Sequence, residues 1–121
     1  MNQKEIWLIN LDPAIGSEIK KTRPCVILND DSIGVLPLKL VSPITDHKDK
    51  YDVVPWMVKL EPNKINNLNK KSVIDLFQVR SVSVDRFIKK IGEINNNDLK
   101  KVKESIKTVF DIEWKISNPL N

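Results

Sequence analysis

The side chains that could do chemistry fall in two short stretches. Ser17, Glu18 and Arg23 lie between Asn10 and Pro24, and Thr45 and His47 lie in a polar segment further on. Together they offer an acid, a guanidinium, two hydroxyls and the only histidine. Arg23 precedes Pro24, which disfavours the helical region for the residue before it, so the arginine is expected to sit extended at the mouth of a strand. That is a good placement for a reactive guanidinium, and adjacent loops of a small domain can bring the other groups to it. A surface ion pair between Glu18 and Arg23 is the plainer alternative.

Most other chemistry is absent from the pattern. One histidine and one cysteine, Cys25, leave no His-rich or Cys-based metal site and no disulfide framework. There is no Gly-rich phosphate loop, nucleophile elbow or dinucleotide fingerprint. Cys25 lies within an apolar run and reads as a small core residue kept reduced.

The elements that must hold these residues are mostly strands. Runs at about Glu5 to Leu11 and Cys25 to Asn29 flank the first loop, each short, apolar and bounded by turn residues. A connection this long is more than a plain hairpin needs, and such loops are often functional. A third run, Gly34 to Val41, carries Pro37 and is expected to be an edge or broken strand. A fourth runs from Trp56 to Leu60. The segment Glu61 to Lys71, rich in Asn and Lys, reads as a solvated loop. Ser72 to Val82 forms a long fifth strand, central in the sheet, and a brief one spans Ile88 to Ile91. One helix closes the chain. Asn95, Asn96 and Asn97 offer caps, Leu99, Val102, Ile106, Val109 and Phe110 line one face, and lysines cover the rest. Trp114 and Ile116 suggest a tail that packs on its own barrel or on a second subunit.

The 121 residues suit one domain, 1–121, with a modest core. Apolar residues at 40% and charged ones at 30% are ordinary for a folded protein, and a net charge of +4 mildly favours polyanionic partners. Without a signal-type apolar core or a run of membrane-spanning length, the expected place is the cytoplasm. Short strands followed by a helix indicate a mainly β fold, a small bent antiparallel sheet or barrel, with a C-terminal α-helix.

The order of residues carries more. Trp7 to Pro13, then Gly16-Ser17-Glu18, then Lys21-Thr22-Arg23-Pro24-Cys25-Val26-Ile27, resembles the opening of the MazF/PemK family of toxin endoribonucleases. Ser42-Pro43-Ile44-Thr45 is similar to the family's second active-site loop, and Phe77 to Val82 to its later strand motif. Asp46 stands where many relatives carry a hydroxyl or small residue.

The resemblance implies an SH3-like barrel, a homodimer, a cognate antitoxin as partner, and a cut in single-stranded RNA that needs no metal or other cofactor. It places the catalytic pair at Arg23 and Thr45, with Ser17 and Glu18 supporting, and sets Gln78 and Arg80 at or behind the RNA surface. Lys20, Lys21 and Tyr51 are the further RNA-binding candidates.

Without a metal, such a cut uses the neighbouring 2′-hydroxyl as nucleophile. A fork of guanidinium donors suits the phosphate oxygens, and a threonine hydroxyl can add another donor. A guanidinium is a poor base, so the proton acceptor is open. His47 could supply acid or base chemistry or be an idle loop residue; Glu18 could orient Arg23 or take the proton. Trp56 and Phe77 could stack on bases or belong to the core. Two other functions remain: a non-catalytic barrel that poisons DNA gyrase, and a degenerate toxin that binds RNA or antitoxin without cutting.

Overall fold

The computed structural model describes residues 1–33 and 37–113. Seven strands precede one helix: β1 (Glu5–Asn10), β2 (Thr22–Ile27), β3 (Leu38–Asp46), β4 (Met57–Leu60), β5 (Ser72–Asp75), β6 (Arg80–Ser83), β7 (Phe87–Glu93) and α1 (Asn96–Val109). They pair in the order β4-β5-β3-β2-β1-β7, with β6 also on β3. The pairing is antiparallel throughout. The mainly β class with a C-terminal helix is as the sequence indicates. The path is open rather than ring-closed among the described residues, with β4 and β7 at its ends.

Alternation along the strands feeds two cores. Val26 joins Ile6, Ile44, Leu60, Ile74, Leu76 and Val102 on one side. Its neighbours Cys25 and Ile27 join Ile9, Leu11, Val41 and Val82 on the other, as a period of two requires. The helix covers the first core. Asn95 caps it by accepting from the Asp98 N–H at 2.7 Å. Val102 is buried, Leu99, Ile106 and Val109 pack beside it, and Ser105 donates to the Pro55 carbonyl at 2.8 Å. Phe110, expected on that apolar face, follows the last turn and is 57% exposed.

Cys25 is fully buried, and the loss of hydration pushes its thiol up to about 12. The thiolate is the reactive form. The folded protein is therefore expected to resist iodoacetamide at pH 8 and to label readily in guanidinium chloride. Labelling of the folded chain at the unfolded rate would contradict this burial.

Three elements differ from the sequence expectation. The third strand begins at Leu38, after Pro37, and is central rather than an edge. It pairs with β6 over Leu38–Val41, with β2 over Val41–Pro43 and with β5 over Ile44–Asp46. Ser42 to Thr45, expected as a loop, is thus strand; Pro43, with no N–H to give, sits where β3 leaves β2 and takes up β5. The expected long strand from Ser72 to Val82 is split. Asp75 accepts the Phe77 N–H at 3.0 Å and starts a single 3₁₀ turn, Leu76–Gln78, between β5 and β6. The segment 61–71 is not simply solvated, because Asn66 is wholly buried. Its Oδ1 accepts from the N–H groups of Asn63 and Leu68, each at 3.0 Å, and its Nδ2 donates to the Glu61 carbonyl at 2.8 Å.

Trp114 and Ile116 lie outside the described residues. No helix among the described residues is long and apolar enough to cross a membrane.

Candidate active site

Arg23 and Thr45 line one cleft of about 440 Å³. β2 supplies Arg23 and Pro24, β3 supplies Ile44, Thr45 and Asp46, and β1 lies between β2 and β7, so that Leu8 faces Pro24 on one side and Lys89 on the other. Lys89 from β7 and Asn67, Asn69 and Lys70 from the loop between β4 and β5 complete the wall. Arg23 begins in the second residue of its strand rather than ahead of it, paired with Ile9. Its side chain is exposed, and only its Nε is engaged, donating to the Lys20 carbonyl at 3.4 Å. Its terminal nitrogens are free among the described residues. Among the described residues three cations and one carboxylate line this cleft, a balance that suits a polyanion. The carboxylate is Asp46, whose Oδ2 lies 3.0 Å from Lys70 Nζ.

The turn that carries Asn67, Asn69 and Lys70 is clasped to β7. Glu93 N–H donates to the Ile65 carbonyl at 3.0 Å, and Asn67 Nδ2 donates to the Ile91 carbonyl at 2.9 Å. Gly92 permits the close approach between them, since a Cβ there would lie 2.5 Å from the Ile65 oxygen.

The other sequence candidates lie elsewhere. Ser17 and Glu18 line a second cleft of about 500 Å³ with Phe77, Gln78, Val79 and Arg80. Glu18 Oε1 accepts the Ile15 N–H at 3.2 Å, and no ion pair joins it to Arg23 among the described residues. His47 is not brought to Thr45's cleft. Its Nε2 lies 2.7 Å from Asp52 Oδ1, and this bond, more than the nearby Lys59, holds the Asp52 carboxyl below its usual value. Tyr51 is half-buried in the 3₁₀ turn Asp49–Val53, with Lys50 Nζ 5.5 Å from its ring centroid. Trp56 packs against the first core and meets Phe77 at 5.5 Å between ring centroids, while Phe77 itself is 66% exposed.

Gln78 and Arg80 grip the loop ahead of Arg23. Gln78 Oε1 accepts the Ile19 N–H at 2.6 Å and its Nε2 donates to the Ser17 carbonyl at 3.4 Å; Arg80 Nη1 donates to the Leu11 carbonyl at 3.4 Å. Arg86, missed in the sequence, donates from Nη1 to the carbonyls of Asn10, at 3.1 Å, and Asp12. Lys20 and Lys21 are exposed; Lys21 serves through its backbone, its N–H donating to Asp12 Oδ1 at 2.8 Å and its carbonyl accepting from Leu11. Gln78→Ala is expected to speed hydrogen exchange at the Ile19 amide about tenfold, the worth of one hydrogen bond of roughly 1.4 kcal/mol. Unchanged exchange would remove Gln78 from that loop's support.

Comparisons with known proteins identify the family and the fold. The family model of PemK-like, MazF-like toxins of type II toxin–antitoxin systems matches residues 2–110. The chain is 30% identical over 118 residues to endoribonuclease MazF9 of Mycobacterium tuberculosis, covering 93% of this chain and 98% of that protein. It is 33% identical over 107 residues to endoribonuclease MazF of Staphylococcus saprophyticus, covering 88% of each. Among solved structures, a mycobacterial endoribonuclease in complex with its cognate antitoxin superposes with a TM-score of 0.75 at 12% identity, over 95% of this chain and 99% of that one.

Proposed function

The chain belongs to the family of PemK-like, MazF-like toxins, and from that membership we propose that it is the toxin of a type II toxin–antitoxin pair, an endoribonuclease that cuts single-stranded RNA without a metal. The observation that carries this reading is the shared cleft of Arg23 and Thr45, cationic on balance and open to a phosphate. The curated relatives named endoribonucleases support the activity, and the structural neighbour bound to its antitoxin supports the partner. The protein acts in the cytoplasm as a homodimer of one domain, 1–121. The partly exposed Ile33, Leu38 and Leu40 supply apolar surface for a second copy.

In this reading the 2′-hydroxyl attacks the adjacent phosphorus and the 5′-oxygen leaves. The phosphorane that forms carries more negative charge than the starting diester. Arg23, with its terminal donors free, and the Thr45 hydroxyl bind that charge, and Lys70 and Lys89 draw the RNA backbone into the cleft. Gln78, Arg80 and Arg86 hold the loop that delivers Arg23. The test is the chemistry of the fragment ends. Products made in excess EDTA should carry 5′-hydroxyls that polynucleotide kinase labels without prior phosphatase, and 2′,3′-cyclic phosphates. Fragments with 5′-phosphates, or intact RNA, would overturn the reading.

A further inference from the structure

We propose that Asp46 is the catalytic residue that accepts the 2′-hydroxyl proton, an inference that rests on the endoribonuclease reading. Attack by the 2′-oxygen requires an acceptor for its proton, and the other polar groups in the cleft are poorly suited. Guanidinium and ammonium groups arrive protonated, and amides and hydroxyls are feeble bases. Asp46 is the one carboxylate that lines the cleft among the described residues. The two acceptors suggested by sequence are committed elsewhere, Glu18 in the second cleft and His47 against Asp52.

The place of Asp46 in the cleft suits the role as well as its chemistry does. Asp46 is the last residue of β3, pairs with Ser72 of β5, and lines the same cleft as Thr45. Lys70 holds Oδ2 at 3.0 Å, and Oδ1 accepts no hydrogen bond among the described residues. One oxygen is thus anchored and the other is open. The charged groups that share the cleft with Asp46 are Arg23 from β2, Lys70 from the loop and Lys89 from β7, all cations, which offset its repulsion of the incoming phosphate.

The step balances without another reactant. The O2′–H bond breaks and its proton passes to the Asp46 carboxylate as the O2′–P bond forms. The P–O5′ bond breaks, O5′ takes a proton from water, and Asp46 returns its proton to water. The products are a 2′,3′-cyclic phosphate and a 5′-hydroxyl.

The test compares wild type, Asp46→Asn and Asp46→Glu on one RNA in EDTA, over the pH range in which circular dichroism shows all three folded. Affinity is read separately on an uncleavable 2′-deoxy analogue. Asp46→Asn is expected to lower kcat at pH 7 at least ~100-fold, with affinity unchanged or tighter. The wild-type rate should fall toward low pH, and the Asn variant should lack that fall. Asp46→Glu should recover part of the rate. With a 5′-thio leaving group, which departs without an acid, the Asn variant should stay slow. Cutting by Asp46→Asn at the wild-type rate, a deficit confined to affinity, or a retained low-pH fall would overturn the role of Asp46 alone. A wild type that cuts no RNA would overturn the endoribonuclease reading and this inference with it.

Discussion

Arg23→Ala is expected to reduce RNA cleavage about 1,000-fold while leaving the protein folded. A donor aimed at charge that develops in the transition state is typically worth ~100- to 1,000-fold in rate, and a guanidinium supplies two such donors in a fixed fork. The upper end applies because no second arginine lines the cleft among the described residues. Lys70 is tied to Asp46, and Lys89 is a point charge that cannot reproduce the paired geometry. For the same reason Arg23→Lys should recover little. Stability should hardly change, since the side chain is exposed and its one hydrogen bond is long, at 3.4 Å. Single-turnover rates beside a thermal melt separate the two effects. Retained cleavage within a few fold would place the chemistry outside this cleft.

Gly92→Ala is expected to carry the largest cost in stability. A Cβ at this position would lie 2.5 Å from the Ile65 oxygen, 2.7 Å from the Asn66 oxygen and 2.8 Å from the Asn66 carbonyl carbon. All three are backbone atoms, so no rotamer change relieves the contact; either β7 or the turn must move. The turn is itself fixed by the buried Asn66, and β7 is fixed by its pairing with β1, Gly92 facing Ile6. Overpacking of this kind costs about 3 kcal/mol, which lowers Tm by roughly 10 °C in a domain of this size. Since the displaced turn carries Asn67, Asn69 and Lys70, RNA affinity should fall too, at temperatures where the variant remains folded. A Tm within a degree or two of wild type would show that the turn can shift freely.

The sequence made some of this visible and hid the rest for physical reasons. The helix was plain because its cap and apolar spacing are local signals, both carried by residues 95–109. β1 was plain because a short apolar run between turns has few other uses. β3 was hidden because Pro37 just ahead of it and Pro43 within it look like breakers; the exchange of partners at Pro43 lets a strand run through that residue. The split at Leu76–Gln78 opens on a side-chain cap, Asp75 accepting the Phe77 N–H, which no periodicity reveals.

The site divides in the same way. Arg23 and Thr45 stood out by motif and by resemblance, and they do share a cleft. Glu18 and His47, supporting candidates in the sequence, are turned to other partners, Ile15 and Asp52. Lys70 and Lys89 could not be distinguished from other surface lysines, since what selects them is the clasp between the 61–71 loop and β7. Asn66, the buried keystone of that loop, sits in a run of Asn and Lys that reads as solvated.

The most direct test of the central claim uses one position of one RNA. After mapping a preferred cut by the wild-type protein in EDTA, a second RNA is made with a single 2′-deoxynucleotide on the 5′ side of that bond. The account predicts a discrete cut in the first RNA and an intact bond in the second, because the attacking oxygen is gone. Equal cutting of both, or of neither, would contradict a metal-independent 2′-hydroxyl mechanism in the Arg23 and Thr45 cleft.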